Sequence, residues 1–162
     1  MLRVLSFAVA CMAPLPAVAL SCMPHGVTHA FQEAAAAEEG YVPVLGQLDF
    51  DPDYLPPADL SGQTNVPPVT LIPATFRGEA LTVRGIPRPF ETDVVLEVQC
   101  FGPWCPQPQP GEMLGFLRQT SHSYVLHTNA CGGFLFGQPT DAQIEQVEDC
   151  LAGRSCEADR RP

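Results

Sequence analysis

Residues 92–101, TDVVLEVQCF, carry the clearest structural signal in the chain. Val94, Leu96 and Val98 alternate with Asp93, Val95, Glu97 and Gln99, the period of two that sets one strand face on a core and the other toward water. Upstream, residues 69–78, VTLIPATFRG, read as a second strand, with Pro73 marking a bulge. Residues 79–91, including GIPRP at 85–89, read as a connection. Further upstream, residues 41–50, YVPVLGQLDF, form an apolar run in which Pro43 and Gly46 mark an edge or a bulge. Between these two runs, residues 51–68 hold five prolines and read as a loop.

Downstream of residue 101 comes a proline-rich loop over 103–111. Two short apolar runs follow, 113–119 and 123–128, set around Thr-Ser-His in a hairpin pattern. Helical signals stand at both ends. Residues 28–39, THAFQEAAAAEE, favour a helix with Thr28 as N-cap and Gly40 as stop. Residues 140–151, TDAQIEQVEDCL, begin with a capping-box pair, Thr140 and Gln143. They carry an apolar stripe of Ile144, Val147 and Leu151, and Gly153 closes the segment. The order is helix, three strands, a hairpin of two more, then helix. That order predicts a mainly β fold, a five-stranded barrel like the oligonucleotide/oligosaccharide-binding (OB) fold with an N-terminal and a C-terminal helix.

The chain has 162 residues, of which 46% are hydrophobic and 16% charged, so it suits one packed domain rather than a disordered tail. Its eight bases are all arginine, and eighteen acids give a net charge of −10. DNA, RNA and anionic membrane surfaces would repel such a chain. Eighteen prolines and thirteen glycines argue against a helical bundle.

Residues 1–19 start with Arg3 and an apolar stretch broken by Pro14 and Pro16, the pattern of a secretory signal peptide. Ala17-Val18-Ala19 satisfies the small-x-small rule and would make Leu20 the first mature residue, leaving residues 20–162 as a single domain with a flexible tail at 157–162. Ala19-Leu20-Ser21 satisfies it too and would expose Cys22, the residue at which a lipoprotein would also begin. The expected location is therefore the periplasm or the exterior, with no membrane span and a monomeric state.

Cys11 leaves with the leader, and Cys22, Cys100, Cys105, Cys131, Cys150 and Cys156 remain. An even number in an exported chain implies a disulfide framework of open connectivity. Cys100 and Cys105 enclose four residues where thioredoxin-like chemistry needs two, and three prolines follow, so a redox helix is not expected there. His25 and His29 are spaced to clamp a metal, but His25 precedes the cap, beside Pro24, and no Glu follows in the HExxH manner. Both read as half-exposed polar residues, and no cofactor or intrinsic metal is expected. His122 and His127 read as surface residues flanking the hairpin. Trp104, beside Cys105, reads as packed on the adjacent disulfide rather than as an exposed anchor.

Several local strings, taken in order, resemble the netrin-like module best known from the tissue inhibitors of metalloproteinases. Leu20-Ser21-Cys22-Met23-Pro24 is similar to the family's opening Cys-x-Cys, small residue, Pro. Ala30-Phe31-Gln32 is similar to its Ala-Phe-Cys, and Phe76-Arg77-Gly78 to its Phe-Lys-Gly. The string GEMLGFL at 111–117 is similar to its Gly-x-x-Tyr-Leu strand. The lysine-free, Ala/Pro-rich composition suggests a bacterial member. The resemblance implies that Cys131 ties back to the opening segment at Cys22. Cys105 matches the partner of the family's first cysteine, which here is Leu20, so Cys100 is expected to take it. Cys150 and Cys156 then pair. In a chain-entropy account the long Cys22–Cys131 loop is worth roughly 4–5 kcal/mol.

In those inhibitors the first cysteine's α-amino group and carbonyl chelate the protease's zinc, and the next side chain enters the specificity pocket. The resemblance thus implies a wedge of Leu20, Ser21, Cys22, Met23 and Pro24 and a protein partner of the zinc-metalloprotease class. Leu20 and Gln32 stand where the family has its first and third cysteines, so the amine at Leu20 lacks a bridge of its own. An envelope interaction protein with the same fold and no inhibitory activity is the alternative. Neither Gly-x-Ser-x-Gly, HExxH, a supported Cys–His pair nor a phosphate loop occurs, so the chain is not expected to be an enzyme.

Overall fold

The computed structural model describes residues 21–23, 25–58 and 67–157. The leader, Leu20, Pro24, residues 59–66 and the tail from 158 lie outside the described residues. Helix α1 (Val27–Ala36) leads into strands β1 (Tyr41–Phe50), β2 (Val69–Ala80), β3 (Arg88–Gln99), β4 (Gly111–Gln119) and β5 (Tyr124–Asn129). Two short strands, β6 (Gly132–Gly133) and β7 (Leu135–Gly137), precede helix α2 (Asp141–Leu151).

Strands β1 to β5 close on themselves in the order β1–β2–β3–β5–β4–β1. Every pairing is antiparallel except β3 with β5. This is a five-stranded barrel with a helix at each end of the chain, as the order of sequence signals implies. β6 adds to β5 and β7 to β4, two short additions that no periodic run announces. The 113–119 and 123–128 runs do not make an extended hairpin. β5 pairs with β4 only at Arg118↔Val125 and Gln119↔Tyr124, and on its other edge it runs parallel to β3 along its whole length, from Val94↔Tyr124 to Gln99↔Asn129.

The interior takes the alternating residues that the strand pattern marks. Val94 is 2% exposed, while Leu96 and Val98 are fully buried. They pack with Ile72, Phe76, Leu117 and Leu126 inside the barrel. A second apolar layer lies outside, where Val27 and Ala30 of α1 and Val147 of α2 cover Leu114 and Phe116 of β4. β4 is therefore buried on both faces over Met113 to Leu117, which accounts for its continuous apolar run.

Several boundaries and devices differ from the sequence reading. β2 runs on to Ala80 and β3 starts at Arg88, so Glu79, Ala80 and residues 88–91 are strand rather than connection. The β2–β3 register passes unbroken through Pro73↔Val95, and no bulge forms there. Pro73 lies one residue beyond the last β1–β2 pair, Phe50↔Ala74, on the stretch of β2 that β1 has already left. Pro43 likewise precedes the first β1–β2 pair, Val44↔Ala80, and its carbonyl accepts from the Leu81 N–H at 2.9 Å. Thr28 is 5% exposed inside α1 and does not cap it. Gly26 is the N-cap, with no side-chain hydrogen bond. α1 stops at Ala36, ahead of Gly40, whose carbonyl instead accepts from the Gln119 N–H at 2.8 Å and so starts the sheet. In α2 the expected capping box is present. The Gln143 N–H donates to Thr140 Oγ1, and the Thr140 N–H donates to Gln143 Oε1.

Three disulfides, Cys22–Cys131, Cys100–Cys105 and Cys150–Cys156, staple the barrel's surroundings. The second closes a turn in which Phe101 and Trp104 pair, leaving Trp104 half-buried over Gly102. Gln32 of α1 donates from Nε2 to the Cys156 carbonyl at 2.6 Å, so a hydrogen bond joins α1 to the segment after α2. No helix among the described residues is long and apolar enough to cross a membrane.

Gly46 of β1 and Gly78 of β2 face each other directly. A Cβ on Gly46 would lie 2.6 Å from Gly78 Cα and closer still to the Arg77 carbonyl oxygen. The glycine of Phe76-Arg77-Gly78 thus has a physical role: it lets the backbones of β1 and β2 approach closely. Because the obstacle is backbone, Gly46→Ala is expected to cost at least the upper part of the ordinary over-packing range, about 2–3 kcal/mol, in urea unfolding. An unchanged midpoint would show that the strands part freely.

Candidate functional site

The expected wedge is described at three of its five positions. Ser21, Cys22 and Met23 are all exposed, Met23 at 83%. Cys22 is bonded to Cys131, which sits in the turn between β5 and β6, so this segment is tied to the rim of the barrel. Leu20 and Pro24 lie outside the described residues. Immediately after the wedge, His25 Nε2 lies 2.7 Å from the Gly133 carbonyl oxygen, an acceptor to which it donates. Gly132 and Gly133 have φ of +134° and +103°, values that side chains resist, and a Cβ on Gly132 would meet His25 Cδ2 at 2.5 Å. The double glycine is what allows the imidazole to sit against the turn. The Phe136 ring of β7 is nearly parallel to the imidazole, with centroids 6.1 Å apart.

His25 and His29 are half-buried, as expected, but they are not isolated polar residues. Their Nδ1 atoms are 3.2 Å apart, and His29 Nδ1 lies 3.5 Å from Glu33 Oε1. One potential ligand atom from each of the three residues falls within 4.8 Å of the others. The HExxH comparison missed Glu33 because it looks for a carboxylate next to the first histidine. The relevant spacing is His-x3-His-x3-Glu, in which His29 and Glu33 are one helical turn apart on α1 while His25 stands ahead of the N-cap and is brought in by its contact with Gly133.

A second polar cluster crosses the barrel wall. His127 Nδ1 lies 2.9 Å from Glu97 Oε1, and Glu97 Oε2 lies 3.7 Å from Arg118, which also reaches Glu39 at 3.7 Å. His127 is a partly buried strand residue with side-chain exposure of 22%, not a surface residue of a hairpin. The parallel β3–β5 register sets it beside Glu97. His122 is exposed, as expected.

The third feature is an open groove of about 820 Å³ along one end of β1, β2 and β3. Leu71, Pro73 and Val95 contribute apolar wall, Asp49, Asp51 and Asp93 line it with carboxylates, and Ser123 of the β4–β5 turn reaches its edge. Leu71 is 62% exposed, an uncommon placement for a leucine in mid-strand.

Protein-family models, curated proteins and solved structures return no match to this chain.

Beside the His127–Glu97 cluster, burial raises the Tyr41 hydroxyl above its ordinary pKa. Arg118 opposes the rise, and Glu39, Glu33 and Glu97 add to it. The neutral phenol is the favoured folded form, so this contribution to stability holds below the unfolded value near 10 and is lost as pH rises through the folded pKa. Tyrosinate absorbance, read against a Tyr41→Phe control, is expected to show Tyr41 ionising later than a free tyrosine. Arg118→Ala should delay it further; earlier ionisation in that variant would contradict the assignment.

Proposed function

We propose that this chain is an exported, non-enzymatic binding module of the netrin-like type, acting through its N-terminal segment on a protein partner of the zinc-metalloprotease class. What supports this function is the exposed Ser21-Cys22-Met23 segment, tethered by Cys22–Cys131 to the rim of a closed barrel. A tethered segment loses less conformational entropy when a partner binds than a free tail does. Met23, at 83% exposed, offers apolar area next to the tether. The α-amine at Leu20 or Cys22 would supply the chelating group, and Ser21 or Met23 the residue that probes the partner's pocket. Disulfide bonding fits an oxidising compartment outside the cytoplasm.

The test is inhibition of a panel of secreted zinc proteases by protein with a free N-terminus, set against the same protein carrying an N-terminal extension. Inhibition that the extension abolishes is the expected result. Equal potency of the two forms, or no inhibition, removes the inhibitory function.

An envelope interaction protein without inhibitory activity is favoured by a different observation, the groove on β2 and β3. Barrels of the OB type bind ligands on that face. Its apolar wall and three aspartates suit a basic peptide segment carrying an apolar side chain. A peptide alternating Lys and Leu is expected to bind in calorimetry, with Leu71→Arg weakening it roughly tenfold or more. Undiminished binding by Leu71→Arg would place the contact elsewhere.

A further inference from the structure

We propose that His25, His29 and Glu33 form a binding site for a zinc-class divalent cation, with one coordination position left for water or an external ligand. The site does not depend on which partner the N-terminal segment meets.

Two of the three separations fit such an ion, and all three ligand atoms lie within 4.8 Å of one another. Ligands about 2.0–2.2 Å from zinc in a tetrahedral arrangement stand about 3.3–3.5 Å from one another. His25 Nδ1 and His29 Nδ1 are 3.2 Å apart, and His29 Nδ1 and Glu33 Oε1 are 3.5 Å apart. A single proton serves only one of these contacts. Shared between the two imidazoles, it leaves the carboxylate at the longer distance, whereas one cation serves all three atoms.

The histidine that sequence reasoning discounts is the best prepared of the three. The Gly133 carbonyl accepts only, so Nε2 of the neutral His25 ring carries the proton, and the lone pair is on Nδ1, facing His29. A ligating histidine whose other nitrogen donates to a backbone carbonyl is the usual outer-shell arrangement of a protein metal site. The ring is further held by the Gly132 backbone and by Phe136. Cys22 stands three residues before His25, and Cys131 two before Gly133, so the Cys22–Cys131 bridge fixes both the ligand and its orienting carbonyl.

His29 and Glu33 come from one face of α1, a turn apart. Their side chains are 42% and 49% exposed, so the side opposite His25 opens to solvent. Three protein ligands with an open fourth position describe an exchange-competent zinc site rather than a closed structural one. Two imidazoles and one carboxylate select zinc, copper or nickel over magnesium and calcium, which prefer all-oxygen shells.

The test uses the full exported chain with its bridges oxidised. Zinc titrated in calorimetry, and cobalt followed by its tetrahedral absorption bands, are expected to give one ion per chain, with magnesium giving none. His29→Ala and Glu33→Gln, both on the exposed helix face, should keep the circular dichroism of the parent and weaken zinc binding roughly tenfold or more. His122→Ala should bind as the parent does. An N-terminal extension, which tests the inhibitory function, should leave the zinc stoichiometry unchanged. The site is refuted by the lack of a stoichiometric zinc ion, by binding that survives both His29→Ala and Glu33→Gln, or by binding that only the extension removes.

Discussion

The barrel closes through β5, and the rest of the molecule depends on that strand having β3 on one edge and β4 on the other. On one edge its first two residues pair antiparallel with β4, and on the other edge all six of its residues pair in parallel with β3. Parallel neighbours need a connection long enough to cross the sheet, and here β4 with its flanking loops is that connection. Val125 and Leu126 are buried in this position, and Leu126 joins the barrel interior. The parallel β3–β5 pairing puts His127 beside Glu97, and the turn that follows β5 brings Cys131 to the rim of the barrel, where Cys22 meets it.

The turn after β5 then gathers features that are far apart in the chain. Its disulfide holds the segment ahead of α1, its double glycine makes room for His25, and its Gly133 carbonyl orients that ring. The Phe134 N–H donates to the His127 carbonyl and the Phe116 N–H donates to the Phe134 carbonyl, so this turn is also hydrogen-bonded into β4 and β5. A position tied to both layers of the core is a rigid place from which to present an N-terminal segment and a polar cluster. The groove along β1, β2 and β3 is lined by none of the residues of this turn, so the two are separate surfaces of the molecule.

Strand and helix identities were legible where burial is one-sided. Val94, Leu96 and Val98 alternate because one face of β3 is inside the barrel, and the Thr140–Gln143 box starts α2 by local hydrogen bonds alone. Prolines were harder to read. Pro73 suggests a bulge and Pro43 an edge or a bulge, yet each sits in an unbroken register, Pro73 on the stretch of β2 that β1 has left and Pro43 at the end of the β1–β2 pairing, where its carbonyl accepts from the Leu81 N–H. At Pro73 the missing N–H does no harm where the neighbouring strand has ended, and that depends on the length of that strand. Strands β6 and β7 were illegible, because two or three residues carry no period.

The sequence by itself determined the mainly β class, the order of the elements, the two terminal helices and the acidic, lysine-free surface, since periodicity, caps and charge act over a few residues. Only the tertiary structure decided which strand closes the barrel, why Gly46 and Gly78 must lack side chains, and which polar residues meet. Glu33 is one helical turn from His29 in any helix, but His25 joins them only because Gly133, 108 residues away, holds its ring. That contact goes with a disulfide over nearly the same separation, 109 residues, and no local pattern encodes it.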